Sequence, residues 1–503
     1  MAQQERAERP PNIVLIMTDQ QRWDALGCAG VFPIETPAMD RLTREGVWFR
    51  RAYCNAPLCV PSRMSFLSGR YMHQHGCRDN NKLLWPDAPT FVRALQSAGY
   101  HTANIGKLHY TWQHDLEILV SQPLLKRLGF DEPYETTGKM SAGNLRASPY
   151  SEHLRARGLL EEYHHDLLRR SAAGPINAYA MRPSMLGEED HIDGWLLRCA
   201  AGWIAANDRE PFFLWSGPPG PHDPFDPPEP YASRYRPEEM PVGPLDLPTL
   251  PLNGNAKRLP DATPRQIQEM RTQYCGNVTY IDDGIRRIRN ALEERGQLTN
   301  TWIVLCSDHG EMLGDHRLLN KSEFFEQAAR VPVIVRPPEY MDMPRGIASD
   351  ALIELLDVTA TLVEIAGTEM PGAQGRSLLP IVTGNAPPEQ HRTAVVSELG
   401  ERLMLRTAEW KLVVTGDDLH PQSLRNLRND PEELHNLAGE PGMADVLATL
   451  RADPRLSCRD ARRSPAAVEA PRSLSAVGPQ SPARREERSS GDRRIHARKD
   501  VMR

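Results

Sequence analysis

The sequence predicts a mixed α/β fold: a mainly parallel sheet sandwiched by helices, followed by a small C-terminal antiparallel-sheet subdomain. Three observations carry this. Two short apolar runs, Asn12 to Thr18 and Thr301 to Cys306, have the length and composition of strands buried on both faces. Helical patterns alternate with such runs, the order that produces crossovers between parallel strands. Each run also ends on a carboxylate, Asp19 and Asp308, and sheets of this kind bind their ligands beyond the carboxyl ends of the strands.

Residues 1–10 are a polar extension, and residues 11–385 are expected to form the α/β domain. After the first strand, Thr36-Pro37 reads as a helix start, with Thr36 as N-cap and Pro37 in the first helical position; Met39 and Leu42 then share a face. Thr90 to Ala98 repeats the pattern and stops at Gly99, so His101 to Ile105 can return as a strand. Residues 116–190 carry many charges without a clean period and are assigned to insertions over the site, outside the sheet. The amphipathic stretch Pro264 to Arg295 predicts a long helix feeding the second buried strand. Ala394 to Thr415 alternates strand-like segments, which places a subdomain at 386–450. Residues 451–503 are rich in Arg, Ser, Pro and Ala and predict a disordered basic tail, whose abrupt onset suggests a shifted reading frame.

The chain has 503 residues, of which 40% are apolar and 25% charged, enough for a sizeable core. Its net charge of −6 hides an asymmetry: the tail holds 14 basic against 7 acidic residues, leaving 46 against 59 before it. An acidic body excludes nucleic acid as a partner, and the tail lacks the aromatic interleaving or amphipathic period that would bind nucleic acid or membrane. No apolar run approaches the ~20 residues of a membrane span, and the polar N-terminus has no secretory h-region, so a cytoplasmic location is expected. Eight cysteines are scattered without metal-finger or disulfide-framework spacing. His164-His165 lacks partners at ligand spacing and is read as a solvated face, and the Asn277-Val278-Thr279 sequon as chance within a helix.

The most specific segment is Leu58-Cys59-Val60-Pro61-Ser62-Arg63, followed by Phe66-Leu67-Ser68-Gly69-Arg70. Its C-x-P-S-R pattern resembles the modification motif of type I sulfatases of the alkaline-phosphatase superfamily, whose cysteine a separate enzyme oxidises to formylglycine. The resemblance continues through Ile105-Gly106-Lys107-Leu108-His109, Pro221-His222-Asp223-Pro224, Ser307-Asp308-His309-Gly310-Glu311, and Lys321 with Phe324-Phe325-Glu326. It covers roughly residues 10–440, with the blocks in the family's order.

That resemblance implies hydrolysis of a sulfate monoester. A formylglycine hydrate carries two hydroxyls on one carbon, one to attack sulfur and one to expel the bound sulfate later, whereas a serine would be trapped as its ester. It implies one divalent metal held by Asp19, Gln20, Asp308 and His309 with the modified Cys59. Gln20 stands where relatives often carry a second aspartate. Its amide oxygen still suits a hard cation, which makes calcium the first choice and manganese, given the imidazole, the competitor. Arg63, one helical turn after Cys59, would fix the hydrate and its carboxylate neighbours with a fork of donors. Pro61 is expected to start the helix, directing its N-terminal dipole at the anion. Lys107 and Lys321 resemble sulfate-binding lysines, His222 the acid for the leaving alcohol, His109 the histidine that helps collapse the ester, and Asn80 a substrate contact. The implied partners are a small sulfated substrate and a formylglycine-generating enzyme, and homo-oligomerisation stays open. A phosphonate monoester or phosphodiester hydrolase with the same site, and a non-catalytic relative, remain alternatives.

Overall fold

In the computed structural model the described residues are 10–110, 118–143, 148–174, 181–248, 256–457 and 468–469. Among them the main sheet has nine strands. Asn12–Thr18 lies at its centre, parallel to Phe212–Gly217 on one side and to Thr301–Ser307 on the other. Parallel pairing continues outward through His101–Gly106 to Glu132–Glu135. On the opposite side Val333–Arg336 pairs antiparallel with Thr301–Ser307 and with Val47–Tyr53, which Arg330–Val331 and Ile347–Glu354 also flank.

Both apolar runs are strands because both of their faces are covered. Side chains alternate sides along a strand. Ile13, Leu15 and Met17 therefore pack with Phe66, Phe91, Trp215 and Leu362, while Val14 and Ile16 pack with Leu197, Ile281 and Ile288. The second layer belongs to Ile192–Ala206 and the long helix Pro264–Glu294, which lies over it as its amphipathic period predicts. Each fully buried aliphatic side chain contributes about 1.5–3 kcal/mol of transfer free energy, so an unbroken apolar run is what the middle of this sheet requires.

Thr90 caps Phe91–Ser97 as expected, its hydroxyl accepting from Arg93 N at 3.1 Å. Thr36 occupies the N-cap position of Pro37–Glu45, but its hydroxyl is turned elsewhere, accepting from Gly27 N and donating to Asp40 Oδ1. The cap comes from the long helix instead: Asp282 accepts from Ala38 N at 3.0 Å and Met39 N at 2.7 Å. Burial outweighs these donors and pushes the Asp282 carboxyl up to about 7. A carboxyl held above its unfolded value of about 4 contributes stability that is full below that value and is lost as pH rises through about 7. Asp282→Asn should therefore flatten the loss of stability between those limits, while Asp282→Ala should cost about 1–2 kcal/mol, both read as denaturant midpoints against pH.

Segment 116–190, expected to lie outside the sheet, contributes one of its strands. Glu132–Glu135 pairs with His101–Gly106 at the edge, and the helices Pro149–Ala156 and Leu160–Ala173 follow it. The four strands Ala394–Leu399, Arg402–Thr407, Trp410–Thr415 and His420–Asn426 form the antiparallel sheet in sequential order. It docks through buried charge: Lys411 Nζ bonds Glu326, Glu433 and the Phe324 carbonyl, each at 2.8 Å, and Arg402 grips Glu323 and the Ser322 carbonyl. Helical structure continues past residue 450 to Pro454–Ser457, with Leu456 buried, and Val468–Glu469 pairs with Lys82–Leu83. The rest of the expected basic tail lies outside the described residues.

Candidate active site

The register of the central strands assembles the site. Thr18 pairs with Ser307, so Asp19 and Asp308 emerge side by side, with Asp308 N donating to Thr18 O. The turn after Asp19 is pinned on every side: Gln20 has φ 68°, its N–H donates to Asp308 Oδ1 at 3.1 Å, and its carbonyl accepts from Tyr274. Asp19 N–H donates to Gly220 O, drawing in the loop that carries His222. Lys107 follows His101–Gly106, and its N–H donates to Gly217 O at 2.7 Å. That approach requires Gly106, because a Cβ there would stand 2.2 Å from the Gly217 carbonyl oxygen.

Cys59 is itself the first residue of the helix Cys59–Ser68, two positions earlier than the start expected at Pro61. The positive end of the helix dipole therefore falls on Cys59. Asn80 lies here as well, its Oδ1 accepting from Val60 N at 3.1 Å, so its carbonyl oxygen supports the helix start. Cys59 Sγ is 3.1 Å from His309 Nε2 and 3.9 Å from Asp19 Oδ1. Arg63, fully buried, spans the floor: Nε donates to Asp308 Oδ2 at 2.7 Å, one terminal nitrogen to Asp19 Oδ2 at 3.2 Å and the other to Lys107 O at 2.7 Å. Lys107 Nζ pairs with Asp19 Oδ2.

Lys321 Nζ donates to Gln20 Oε1 and, at 2.7 Å, to His222 Nε2. His222 Nδ1 in turn donates to the Asp223 carbonyl at 2.8 Å, the tautomer these partners select. Burial works against the Asp19 carboxylate, yet the charges of Lys107 and Arg63 hold it well below the usual carboxylate range. Burial likewise opposes charge on Lys321, which the surrounding anions keep protonated. Cys59 is pulled well below an ordinary thiol by Lys321, His309 and Lys107 despite its burial. Burial pushes His109 down to about 4, with Lys107 adding to the effect, so its imidazole is neutral and free to accept a proton.

Donor atoms of Asp19, Cys59, Asp308 and His309 all lie within 4.8 Å of one another. His309 donates Nδ1–H to Gly310 O at 2.9 Å, which leaves the Nε2 lone pair facing this cluster. Two carboxylates and one imidazole form a donor set that fits a hard or borderline divalent cation, while the amide oxygen of Gln20, expected as a further ligand, accepts from Lys321 Nζ.

Several supporting residues were not singled out as site residues in the sequence, although Glu311 lies within one of the matching blocks. Glu311 Oε2 accepts from Gln20 Nε2, and its Oε1 accepts from Leu313 N and Asn320 N, so the Gln20 amide is oriented with its oxygen toward Lys321. Releasing that amide by Glu311→Ala should lower kcat/KM and metal affinity by about 10–100-fold, measured by steady-state kinetics and metal titration. Lys139, fully buried within the segment assigned to insertions, donates to Pro224 O at 2.8 Å and pairs with Asp226 at 2.7 Å. Asp193 Oδ1 accepts from Gly220 N at 2.6 Å, so both ends of the His222 loop are tied to buried charge.

With this geometry established, comparison with known proteins decides the family. The sulfatase family model matches residues 11–368, and an N-sulphoglucosamine sulphohydrolase C-terminal model matches residues 314–457. The chain belongs to the sulfatase family. An arylsulfatase of Clostridium perfringens is 30% identical to this sulfatase over 88% of the chain and 93% of its own length. A multifunctional alkaline phosphatase superfamily protein of Trinickia caryophylli is 29% identical over 87% of the chain and 93% of its own. Among solved structures, the phosphonate monoester hydrolase of Agrobacterium radiobacter superposes with a TM-score of 0.75 at 25% identity, covering 90% of this chain and 96% of that one. Among the described residues no helix is long and apolar enough to cross a membrane.

Proposed function

We propose that the protein hydrolyses a sulfate monoester to an alcohol and inorganic sulfate, with Cys59 acting as formylglycine supplied by a formylglycine-generating enzyme. The observation that carries this reading is the convergence on Cys59 Sγ of a metal-type donor cluster and three cationic side chains, Arg63, Lys107 and Lys321. The Sγ position stands in for the hydrate oxygens. An environment that favours a thiolate there also favours a deprotonating hydroxyl.

Asp19, Gln20, Asp308 and His309 would hold one divalent cation, calcium in the first instance and manganese as competitor, whose charge lowers the pKa of the attacking hydroxyl and neutralises sulfate oxygens. Lys107 and Lys321 face the oxygens on which charge moves. One hydroxyl, having released its proton to solvent, attacks sulfur, and the sulfur–oxygen bond to the alcohol breaks. The departing oxygen takes up the proton shared between Lys321 Nζ and His222 Nε2. His109, with a neutral imidazole, then accepts the proton of the second hydroxyl, so that the carbonyl re-forms and sulfate leaves. Water restores the hydrate.

The likeness to phosphonate monoester hydrolases favours a second reading, in which a singly charged phosphonate or phosphodiester occupies the same site. Two measurements test the pair. Mass spectrometry of the Cys59 peptide, from protein made with a formylglycine-generating enzyme, should show a loss of about 18 Da on exchange of thiol for aldehyde; an unmodified cysteine would remove both readings. Rates on 4-nitrophenyl sulfate should exceed those on phosphonate and diester analogues, and the reverse order would install the second reading.

A further inference from the structure

A cavity of about 160 Å³ opens beside His222. It meets the site at Asp223, which accepts from Gln20 Nε2 at 3.4 Å, and at Leu319, two positions before Lys321. Away from that edge its walls are apolar, built from Leu167, Met181 and Phe225, all buried. Met140, at the rim, is 46% exposed, one of few large apolar side chains left in water among the described residues. Arg170 also reaches the cavity, but its guanidinium is engaged by Asp166 and by the carbonyls of Arg182 and Pro183. The remaining charged side chains of the lining, Asp223 and Lys257, are of opposite sign.

Resting on the reading of His222 as the group at the leaving alcohol, we infer that this cavity receives the alcohol portion of the substrate, and that this portion is a compact apolar group the size of one aromatic ring. An apolar cavity of about 150 Å³ accepts a benzene ring. A sugar placed there would strip water from its hydroxyls and find Leu167, Met181, Phe225 and Leu319 in its place, which disfavours binding. The opposed charges of Asp223 and Lys257 add no net preference for an ionic substituent. Segment 116–190 thus acts on specificity through Met140 and Leu167, which it places beside the His222 loop.

Titration with 4-nitrophenol, the alcohol alone, reads the cavity without turnover. Saturable binding to the wild-type protein is expected, weakened about tenfold or more both by Met140→Glu, at an exposed position that tolerates charge, and by Leu167→Gln. N-acetylglucosamine should bind no better to the wild type than to either variant. Equal affinity of 4-nitrophenol for the three proteins, or tighter binding of the sugar, overturns the inference. Turnover separates the underlying reading: hydrolysis of 4-nitrophenyl phosphonates without hydrolysis of 4-nitrophenyl sulfate would overturn the sulfate-ester assignment while the ring cavity stood.

Discussion

Cys59→Ser is expected to release at most one equivalent of alcohol per protein and then stop, carrying one SO3 unit on the new serine. The serine hydroxyl would sit at the start of the same helix, among the same cations, so attack on sulfur remains open to it. What it lacks is the second hydroxyl on the same carbon. Without that group His109 has no proton to take that would re-form a carbonyl and expel sulfate, and the ester persists. Cys59→Ala removes even the first step, and steady-state turnover should fall by about 10⁴-fold or more, the scale seen when a nucleophile is deleted from a site whose other groups remain. Intact-protein mass spectrometry and a burst assay check both variants. Multiple turnovers by Cys59→Ser with no covalent ester would show that a single hydroxyl suffices and that the geminal-diol route is wrong.

The two central strands were legible in the sequence for one cause. Asn12–Thr18 and Thr301–Ser307 are buried on both faces, so every position reports the same environment, and a carboxylate at the end of such a run stands out. The cysteine segment is legible for a different reason: its C-x-P-S-R pattern resembles a family motif, and that motif is compact because one helical turn separates Cys59 from Arg63. What escaped depends on partners far apart in sequence. Asp282 caps a helix some 240 residues before it, and Glu311 orients Gln20 across 291 positions. Asp282 does not differ locally from an ordinary helical acid, and Glu311, though inside a matching block, carries no local mark of the amide it orients. Glu132–Glu135 escaped because an edge strand of four residues that carries two glutamates and a proline lacks the period that marks a strand. Lys139 escaped because a lysine in a charged stretch reads as solvent-facing, and only the fold reveals that it is enclosed with Asp226 and the Pro224 carbonyl.

Arg63→Met should destabilise the protein by about 3–5 kcal/mol, the cost of breaking a buried ion pair and leaving its partners uncompensated. Both carboxylates that Arg63 contacts are fully buried. Asp19 would keep Lys107, and Asp308 Oδ1 would keep the N–H groups of Gln20 and His309, but Asp308 Oδ2 would lose its charged partner. A divalent cation on the same carboxylates supplies the missing charge, and a ligand that binds only the folded state stabilises it by mass action. The deficit should therefore be greatest in excess chelator and shrink as calcium or manganese is added, a larger metal-dependent shift in denaturation midpoint than the wild type shows. Arg63→Lys should recover part of the stability but little of the activity, because a single ammonium cannot reach Asp19, Asp308 and the Lys107 carbonyl at once as the guanidinium fork does. A midpoint for Arg63→Met equal to wild type, with and without metal, would mean that the carboxylates are not charge-balanced by this residue. The floor of the site would then owe its geometry to the strand ends alone.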